Sequence, residues 1–258
     1  MDTDFIYEVK NHIAYMTINR PERRNALSAG VVQAFSESLD KAEADKDVRA
    51  ICITGAGEKA FCAGADLGAA AGAEGEAKLK PIRDYAELLK KMSRIGKPIL
   101  ARVAGDCMAG GLGLMLASDI VIAKSSARFA TPEINVGLWP MMIGALLFRH
   151  LPRKQAWYLA YTGKRITATE AMQLGMVTKV VDEDQFENEL EQTLAMLASK
   201  SPTAMRIGRQ AYYASMDKDF EEALDYLSKM FGEVASTEDA VEGLTAFLQK
   251  REPIWKGR

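Results

Sequence analysis

Residues 98–123 read PILARVAGDCMAGGLGLMLASDIVIA, and this stretch decides the fold class. Its apolar runs, residues 98–104 and 120–123, are typical of buried strands. Between them, the glycine-rich residues 105–113 form a turn that leads into an apolar helix over residues 114–117. A strand, a turn, a helix and a second strand in this order indicate an α/β protein.

The chain before this stretch also alternates between strands and helices. Residues 5–9 and 13–18 alternate apolar and polar side chains, as half-buried strands do, and residues 48–54 form another apolar run. Ser28 has the position of a helix N-cap before an amphipathic pattern. Pro81 has the position of a first helical residue, so we expect another helix to begin there.

The pattern changes after Asp182. Residues 185–250 show only helical periodicity, with apolar side chains that recur every three or four residues. Strands that alternate with helices and are followed by helices alone indicate two parts of the chain. We predict an α/β core over residues 1–182 and an α-helical C-terminal region over residues 183–258.

Composition and charge exclude several classes of function. The 258 residues include 33 Lys or Arg and 35 Asp or Glu, so a net charge of −2 gives no general attraction for nucleic acid. The three cysteines form no C-x-x-C pair and the two histidines are far apart, which argues against a disulfide scaffold and against a metal site. No apolar run has the length of a membrane span, and the first residues show no targeting pattern. We expect a cytoplasmic globular protein.

Two glycine-containing turns follow predicted buried strands, at residues 54–66 and 103–113. Glycines let backbone N–H groups approach a ligand without a Cβ atom in the way. In the second turn a helix begins at once, so its unpaired N–H groups face whatever lies there. One N–H group from each turn would together stabilise a developing negative oxygen. The alternative is that the glycines of residues 110–113 only permit close helix packing.

The first turn also has the spacing of a dinucleotide fingerprint. Gly55, Gly57 and Ala60 match G-x-G-x-x-A after a strand. However, residues 61–64 do not open a helix, and no acidic residue closes a second strand about 20 residues on. A plain turn therefore fits this segment better than a nucleotide site.

Glu133 is the candidate acid/base. It follows a predicted strand and lies among apolar residues in the segment TPEINVGLWP, residues 131–140. A carboxylate in such surroundings has a raised pKa, which suits proton transfer. The alternative is a Glu133 that is exposed on a loop or paired with an arginine.

Three motifs, taken in order, resemble those of the crotonase (enoyl-CoA hydratase/isomerase) superfamily. They are AGADL at residues 63–67, AGGLG at 109–113 with ASD at 117–119, and PEINVG at 132–137. Supporting segments are NRP at 19–21, RNAL at 24–27, residues 162–171, and the ending at 247–251. The resemblance runs from about Ile6 to the C-terminus and covers nearly the whole chain.

The resemblance implies a fold and a chemistry. Members of the superfamily fold as a spiral of ββα units, with a helical C-terminal region that builds homotrimers, often paired into homohexamers. They bind acyl-CoA thioesters and stabilise the thioester enolate with two backbone N–H groups, which by motif position are those of Ala65 and Gly110. CoA enters as part of the substrate, so neither a metal nor a redox cofactor is expected.

The resemblance also implies a CoA-binding surface. The residues that fall at its lining positions are Arg24, Ala26, Ala63, Asp66, Leu67 and Gly111. Phe247 and Lys250 lie where a C-terminal helix reaches the nucleotide part of CoA, sometimes that of a neighbouring subunit. Trp139 is either an apolar wall of the acyl pocket or an anchor for the helix that follows it.

One departure from the hydratase pattern favours a different reaction. Hydratases of the superfamily carry two glutamates; Glu133 has the place of one, and Gly113 has the place of the other. Addition of water uses both carboxylates, whereas moving a proton between C2 and C4 needs only one. We therefore predict an enzyme of fatty acid metabolism that resembles the Δ3,Δ2-enoyl-CoA isomerases, with Glu133 as the single acid/base. We also expect Gly113→Glu to introduce hydration.

The resemblance leaves the decarboxylases and hydrolases of the superfamily open, because their residues vary, and two alternatives are more specific. One is an enoyl-CoA hydratase, a lyase, that works with Glu133 and an ordered water. The other is a non-catalytic acyl-CoA-binding homologue. Dehalogenase and dienoyl-CoA isomerase activities fit poorly, because Met141 has the place of their acidic residue.

Overall fold

A six-stranded sheet forms the centre of the fold in a computed structural model that describes residues 3–66 and 74–258. Its strands are Phe5–Lys10 (β1), Ile13–Ile18 (β2), Ala50–Gly55 (β3), Ile99–Val103 (β5), Ile120–Lys124 (β7) and Lys179–Val181 (β10). They lie in the order β1-β2-β3-β5-β7-β10. β1 and β2 form an antiparallel hairpin, and the other neighbours in this sheet are parallel.

Four short strands form a second, smaller sheet. It consists of Ala60–Cys62 (β4), Asp106–Met108 (β6), Arg128–Ala130 (β8) and Ile166–Thr167 (β9). The strand order is β4-β6-β8-β9, with the first three strands parallel and β9 antiparallel to β8. The carboxyl ends of β4, β6 and β8 therefore lie at one edge of this sheet.

Helices connect the strands and cover the larger sheet. They are Ala29–Ala44 (α1), Gly75–Arg94 (α2), Gly110–Leu116 (α3), Met141–His150 (α4), Arg153–Thr162 (α5), Ala168–Gln173 (α6), Phe186–Ala198 (α7), Pro202–Ser215 (α8), Phe220–Ala235 (α9) and Glu238–Leu248 (α10). Short 3-10 helices cover Pro21–Arg23 and Pro132–Val136. In the described part of the chain, no helix is long and apolar enough to cross a membrane.

Strand β3 is buried on both faces. Ile51 and Ile53 pack in the main core together with Phe35 of α1. Cys52, on the opposite face, packs in a second core together with Phe186 of α7. This arrangement explains why β3 has a continuous apolar run rather than an alternating pattern.

Two features of the helices match the sequence pattern. Ser28 caps α1, because its side chain accepts a hydrogen bond from the Val31 N–H. The described residues after Val181 form only helices and the segments between them. The separation of residues 183–258 as a distinct unit stays a prediction, since α7 packs on the sheet.

The predicted helix start at Pro81 is wrong. The helix α2 begins at Gly75, and Pro81 lies inside it. Proline has no N–H group, so the Ala77 carbonyl loses its helical donor. Residues 75–83 are exposed, so this carbonyl is open to solvent and the helix tolerates the proline. The Ala/Gly-rich composition of residues 68–75 predicts a loop before this helix; residues 68–73 lie outside the described residues, and Gly75 begins α2.

Asn25 joins the loop before α1 to the turn after β3. Its side-chain N–H groups donate to the carbonyls of Ala56 (3.0 Å) and Ala60 (2.7 Å). Its side-chain oxygen accepts from the Arg20 N–H at 3.1 Å. Asn25 is buried and has φ 56°, a left-handed conformation that asparagine adopts more readily than most residues. This side chain therefore holds residues 24–27 in place.

We predict that Asn25→Ala lowers the free energy of unfolding by about 2–4 kcal/mol, because it removes the side-chain donor of the buried Ala60 carbonyl and of the half-buried Ala56 carbonyl. Urea unfolding followed by circular dichroism measures the change. Asn188→Ala, at an exposed position of α7, is the control and should change stability by less than about 0.5 kcal/mol. Similar losses in the two variants would contradict this role of Asn25.

Candidate active site

The three predicted catalytic residues follow the ends of three neighbouring strands. Ala65 follows β4, Gly110 follows β6, and Glu133 follows β8. Because these strands are parallel and adjacent, their ends place the three residues at one edge of the small sheet. Crevices outside the carboxyl ends of parallel strands are common ligand sites in α/β proteins. The structure therefore brings the predicted catalytic residues together.

The first turn presents the N–H group of Ala65. The Leu27 N–H donates to the Gly64 carbonyl (2.8 Å), and the Asp66 N–H donates to the Leu27 carbonyl (3.0 Å). The Ala65 N–H lies between these two bonds, points away from Leu27, and has no acceptor in the described part of the chain. Gly64 has φ 94°, and a Cβ atom on it would lie 2.5 Å from the Cβ atom of Ala109, so this turn requires glycine.

The second turn presents the N–H group of Gly110. Ala109 has φ 49° and ψ −127°, a strained conformation for a residue with a Cβ atom. Its N–H donates to the Ala130 carbonyl at 3.0 Å, which extends the pairing of β6 with β8 up to the turn. Gly110 is the first residue of α3, so its N–H has no helical acceptor. A Cβ atom on Gly110 would lie 3.7 Å from the Ala65 nitrogen, so the two N–H groups are neighbours.

Glu133 is held by contacts on both sides. The hydroxyl of buried Thr131 donates to the Leu159 carbonyl (3.1 Å), and the Leu138 N–H donates to the Glu133 carbonyl (3.0 Å). The carboxyl Oε2 of Glu133 is buried and has no hydrogen-bond partner among the described residues. Glu133 is therefore neither exposed on a loop nor paired with an arginine of the described part of the chain.

Burial determines the charge state of the ionisable groups here. It raises the pKa of Glu133 above the ordinary value, and the backbone N–H of the same residue partly offsets the rise. A raised pKa suits a carboxyl group that must both take up and return a proton. Burial also raises the pKa of the Cys62 thiol, at the end of β4, to about 12, so this thiol stays neutral and is no competing base.

Some glycines of the two turns serve close packing. A Cβ atom on Gly111 would lie 2.4 Å from the Cys62 carbonyl oxygen, so α3 packs directly against β4. A Cβ atom on Gly55 would lie 2.1 Å from the Phe61 carbonyl oxygen. The chain after Gly55 continues into β4 instead of a helix, so the first turn is a plain turn rather than a dinucleotide-binding loop.

Four of the predicted CoA-binding residues lie together beside the first turn. The Ala63 N–H donates to the Arg24 carbonyl at 3.0 Å. The Arg20 guanidinium donates to the Ala26 carbonyl at 2.8 Å and forms an ion pair with Asp66 at 2.9 Å. Arg20 was not among the predicted site residues, although it belongs to the NRP segment. It organises the surface that the other four form.

The other predicted binding residues lie elsewhere or are not described. Phe247 and Lys250 lie at the exposed end of the C-terminal helix. In the described part of the chain, no hydrogen bond or ion pair joins either side chain to the two turns. Their contact with CoA stays a prediction. Leu67 lies outside the described residues.

Trp139 belongs to an aromatic cluster. Its ring packs edge-on against Tyr161, with 5.2 Å between centroids, and lies 6.4 Å from the Trp157 ring. Both partners belong to α5, so the cluster fastens the segment after Glu133 to that helix. Contact of Trp139 with an acyl chain stays a prediction.

Tyr85 is the site residue that the sequence reasoning missed. Its hydroxyl donates to the Gly110 carbonyl at 2.5 Å. A Cβ atom on Gly113 would lie 2.2 Å from this hydroxyl oxygen. A glutamate at 113 would therefore have to displace the Tyr85 hydroxyl, and hydration by Gly113→Glu stays a prediction. The sequence signal for this contact was Gly113 itself. A glycine inside a helix lowers helix stability by about 1 kcal/mol relative to alanine, so its presence indicates that a neighbouring group needs the space.

Comparisons with known proteins agree on one family. The family model described as enoyl-CoA hydratase/isomerase matches residues 8–258. The chain is 35% identical over 257 residues to the short-chain-enoyl-CoA hydratase of Clostridium acetobutylicum, covering 96% of this chain and 95% of that protein. It is 33% identical over 251 residues to the (E)-benzylidenesuccinyl-CoA hydratase of Thauera aromatica, covering 97% of this chain and 98% of that protein.

A solved structure extends the agreement to the fold. The crystal structure of enoyl-CoA hydratase from Bacillus anthracis is similar to this chain with a TM-score of 0.95 and 31% identity. The similarity covers 99% of this chain and 100% of that chain. The predicted crotonase-like α/β fold is therefore confirmed, whereas trimerisation through the C-terminal helices stays a prediction.

The raised pKa of Glu133 predicts a pH-dependent effect on stability. A carboxyl group with a higher pKa in the folded protein stabilises the fold most below its unfolded pKa, and this contribution is lost as the pH rises through the folded pKa. Glu133→Gln does not ionise, so it should gain stability relative to the wild type as the pH rises above 4.5, the ordinary pKa of glutamate, and through the raised pKa of Glu133. Urea unfolding at a series of pH values measures the difference.

Glu242 is the matched control with the opposite sign. Hydrogen bonds from the Arg251 side chain and from the Ile254 N–H lower the pKa of Glu242 to about 2. Its contribution is present above the unfolded pKa and is lost as the pH falls. Glu242→Gln should therefore lose stability relative to the wild type as the pH rises. A Glu133→Gln difference that does not change with pH would contradict the raised pKa of Glu133.

Proposed function

Because the chain belongs to the enoyl-CoA hydratase/isomerase family and is an enzyme of this type, we propose that it shifts the double bond of an enoyl-CoA thioester from C3 to C2. Glu133 is the single acid/base of this reaction. The backbone N–H groups of Ala65 and Gly110 bind the thioester oxygen. Arg24, Ala26, Ala63 and Asp66 contribute to the surface that binds CoA.

The reaction moves one proton. The Glu133 carboxylate removes a proton from C2 of the 3-enoyl thioester, and the electron pair of the broken C–H bond moves toward the thioester oxygen. The N–H groups of Ala65 and Gly110 stabilise this negative oxygen. Protonated Glu133 then delivers its proton to C4, and the double bond ends between C2 and C3. The carboxylate is regenerated, and no atom is gained or lost.

The two N–H groups supply the main stabilisation of the intermediate. Loss of one such donor typically costs about 3 kcal/mol of transition-state stabilisation, or roughly 10²–10³-fold in rate. Neither donor has another acceptor in the described part of the chain, so substrate binding breaks no existing hydrogen bond. Donors that are already in place need no reorganisation during the reaction.

The buried, unpartnered Oε2 of Glu133 is the observation that carries this proposal. A second acid is not supplied by residue 113, which is glycine, and the nearby Tyr85 hydroxyl fills its space. Asp106, another acid in the same segment, begins strand β6 and lies 4.0 Å from Arg165, at the opposite end of the strand from Gly110. One carboxyl group with a raised pKa fits a shuttled proton better than the addition of water.

Hydration is the second candidate function. It is favoured by the curated relatives described above, which are named hydratases. In this alternative, Glu133 activates an ordered water that adds to C3 of a 2-enoyl thioester, and the same carboxyl group returns the proton to C2. Both candidates use the same oxyanion donors, so they differ only in whether water enters the product.

A pair of incubations in deuterated water separates the candidates. The purified protein is given a 3-enoyl-CoA or a 2-enoyl-CoA, and mass spectrometry reads both products. Interconversion of the two isomers with deuterium incorporation and without added water is the expected result. Added water in the product of the 2-enoyl thioester would establish hydration instead. Binding of both thioesters without any exchange would leave a non-catalytic acyl-CoA-binding role.

Glu133→Gln should lower kcat by about 10²–10⁴-fold, because it removes the only proton carrier of the reaction. The dissociation constant for the thioester should change by less than about threefold, since glutamine has nearly the same shape and the oxyanion donors stay in place. A spectrophotometric assay and isothermal titration calorimetry measure the two quantities. Glu191→Gln, at an exposed position of α7, should retain wild-type activity. Isomerisation by the Glu133→Gln variant at the wild-type rate would exclude Glu133 as the base.

We also propose that the C-terminal helices assemble the chain into homotrimers or homohexamers. The support is a set of large apolar side chains that stay exposed there, including Phe220, Phe231, Leu244, Phe247 and Leu248. Exposed apolar patches of this kind mark protein interfaces. Analytical ultracentrifugation should give the mass of three or six chains, whereas a stable monomer would contradict the proposal.

A further inference from the structure

Tyr85 is a buried polar side chain that the mechanism above does not use. It belongs to α2, and its ring packs in the main core. Its hydroxyl reaches α3, where it donates to the Gly110 carbonyl at 2.5 Å. Gly110 is also the residue whose N–H group binds the thioester oxygen in the proposed function. Tyr85 therefore contacts this residue at its carbonyl group rather than at its N–H group.

We propose that Tyr85 is the positioning residue of the oxyanion hole: its hydroxyl holds the Gly110 backbone in the orientation that presents the N–H group to the thioester oxygen. This inference rests on the proposed function, because it concerns the same donor. Tyr85 acts through Gly110, whose carbonyl accepts the hydrogen bond of its hydroxyl.

The backbone around Gly110 is held on several sides. On the strand side, the Ala109 N–H bonds to the Ala130 carbonyl at 3.0 Å. Within α3, the Leu112 N–H donates at 2.9 Å to the Ala109 carbonyl, which belongs to the same peptide as the Gly110 N–H. The hydroxyl of Tyr85 adds the contact from another helix, α2, at the Gly110 carbonyl. This contact fixes the start of α3 relative to α2 at a point where Gly110 has no side chain of its own to pack.

Tyrosine has the chemistry that this position requires. Its ring is rigid and packs in the main core, so the hydroxyl moves little relative to α2. Burial raises the pKa of Tyr85 well above 10, and nearby ionisable groups, Cys62, Cys107 and Glu133, raise it further. The hydroxyl therefore stays protonated and keeps donating while the charge of Glu133 changes during the reaction.

The Tyr85 hydroxyl occupies the space that a side chain at 113 would need, and we call Gly113 and Tyr85 together the steric unit. A Cβ atom on Gly113 would lie 2.2 Å from the hydroxyl oxygen, well inside contact distance, and 3.4 Å from the ring carbon that carries the hydroxyl. Alanine at 113 is therefore incompatible with the hydroxyl but tolerable beside a phenylalanine ring. The glycine keeps the space in which the hydroxyl reaches Gly110, one helical turn earlier.

The first test removes only the hydroxyl. A conjugated 2,4-dienoyl-CoA absorbs at longer wavelength when hydrogen bonds polarise its thioester carbonyl, so its spectrum reports on the oxyanion hole directly. Tyr85→Phe should reduce the red shift of the bound thioester and lower kcat for isomerisation by about 10- to 100-fold, less than the cost of losing a donor outright. KM should change by less than about threefold, because positioning acts mainly on the developing charge.

Tyr213→Phe is the matched control. The Tyr213 hydroxyl donates to a carboxyl oxygen of Asp119 at 3.3 Å, and neither residue is placed in the catalytic or binding machinery. This variant also loses one hydroxyl with one hydrogen bond. It should keep the wild-type red shift and the wild-type kcat. Thermal unfolding of both variants, followed by circular dichroism, verifies that each is folded at the assay temperature.

The second test is a double-mutant cycle. Gly113→Ala in the wild-type background should reduce both the red shift and kcat at least as much as Tyr85→Phe does, because it displaces the hydroxyl. In the Tyr85→Phe background the same alanine should add less than about a threefold loss. A loss that is the same in both backgrounds would overturn the proposed steric unit. If Gly113→Ala does not fold, the red shift and the kcat of the Tyr85→Phe variant alone test the positioning role.

The outcomes distinguish this inference from the function on which it rests. A Tyr85→Phe variant with unchanged red shift and unchanged kcat would overturn the positioning role while leaving the oxyanion hole intact. A wild-type protein that binds the dienoyl thioester without any red shift would overturn the oxyanion hole itself, and the positioning role with it. A reduced red shift in Tyr85→Phe together with an unchanged Tyr213→Phe variant establishes the role.

Discussion

The parallel pairing of three short strands, β4, β6 and β8, is the constraint on which the site depends. Parallel strands end at the same edge, so the residues that follow them meet in space although they are far apart in sequence. Ala65, Gly110 and Glu133 are brought together in this way. A shift in this pairing would move an N–H donor or the carboxyl group away from the other two, and the proposed chemistry would be lost.

Several contacts outside these strands keep the strand ends in place. Asn25 joins the loop before α1 to the turn after β3, and Arg20 joins the same loop to Asp66. The Leu27 backbone then pairs with both neighbours of Ala65. These polar groups lie beside Arg24, Ala26, Ala63 and Asp66, so the contacts that stabilise the loop also shape the candidate CoA surface. The unusual backbone angles of Asn25 and Ala109 are tolerated because such contacts hold them.

The ionisable groups of the site have different surroundings and therefore different roles. The buried Oε2 of Glu133 has no partner among the described residues, which favours the protonated form and suits proton transfer. The hydroxyl of Tyr85 donates a hydrogen bond to the Gly110 carbonyl. Gly113 gives this hydroxyl its space. The absence of a side chain at 113 thus leaves room for a neutral hydrogen-bond donor and brings no acid to this place.

Much of this protein was predictable from local sequence. The apolar runs indicated the strands, the Ser28 cap marked the start of α1, and three ordered motifs indicated the family and the residues Ala65, Gly110 and Glu133. The start of α2 was mispredicted at Pro81, because an exposed helix tolerates a proline whose missing hydrogen bond is replaced by solvent.

Only the tertiary structure revealed the contacts of Tyr85, Asn25 and Arg20. Local sequence determines the hydrogen bonds within a helix or strand, its caps and its apolar face. Each of these patterns is visible in one continuous stretch of sequence. The contact of Tyr85 with Gly110 joins helices that are separated by other elements, and its periodic position among apolar residues is the same as that of a core residue. Whether a buried hydroxyl meets a carbonyl depends on how α2 and α3 pack, which no local pattern contains.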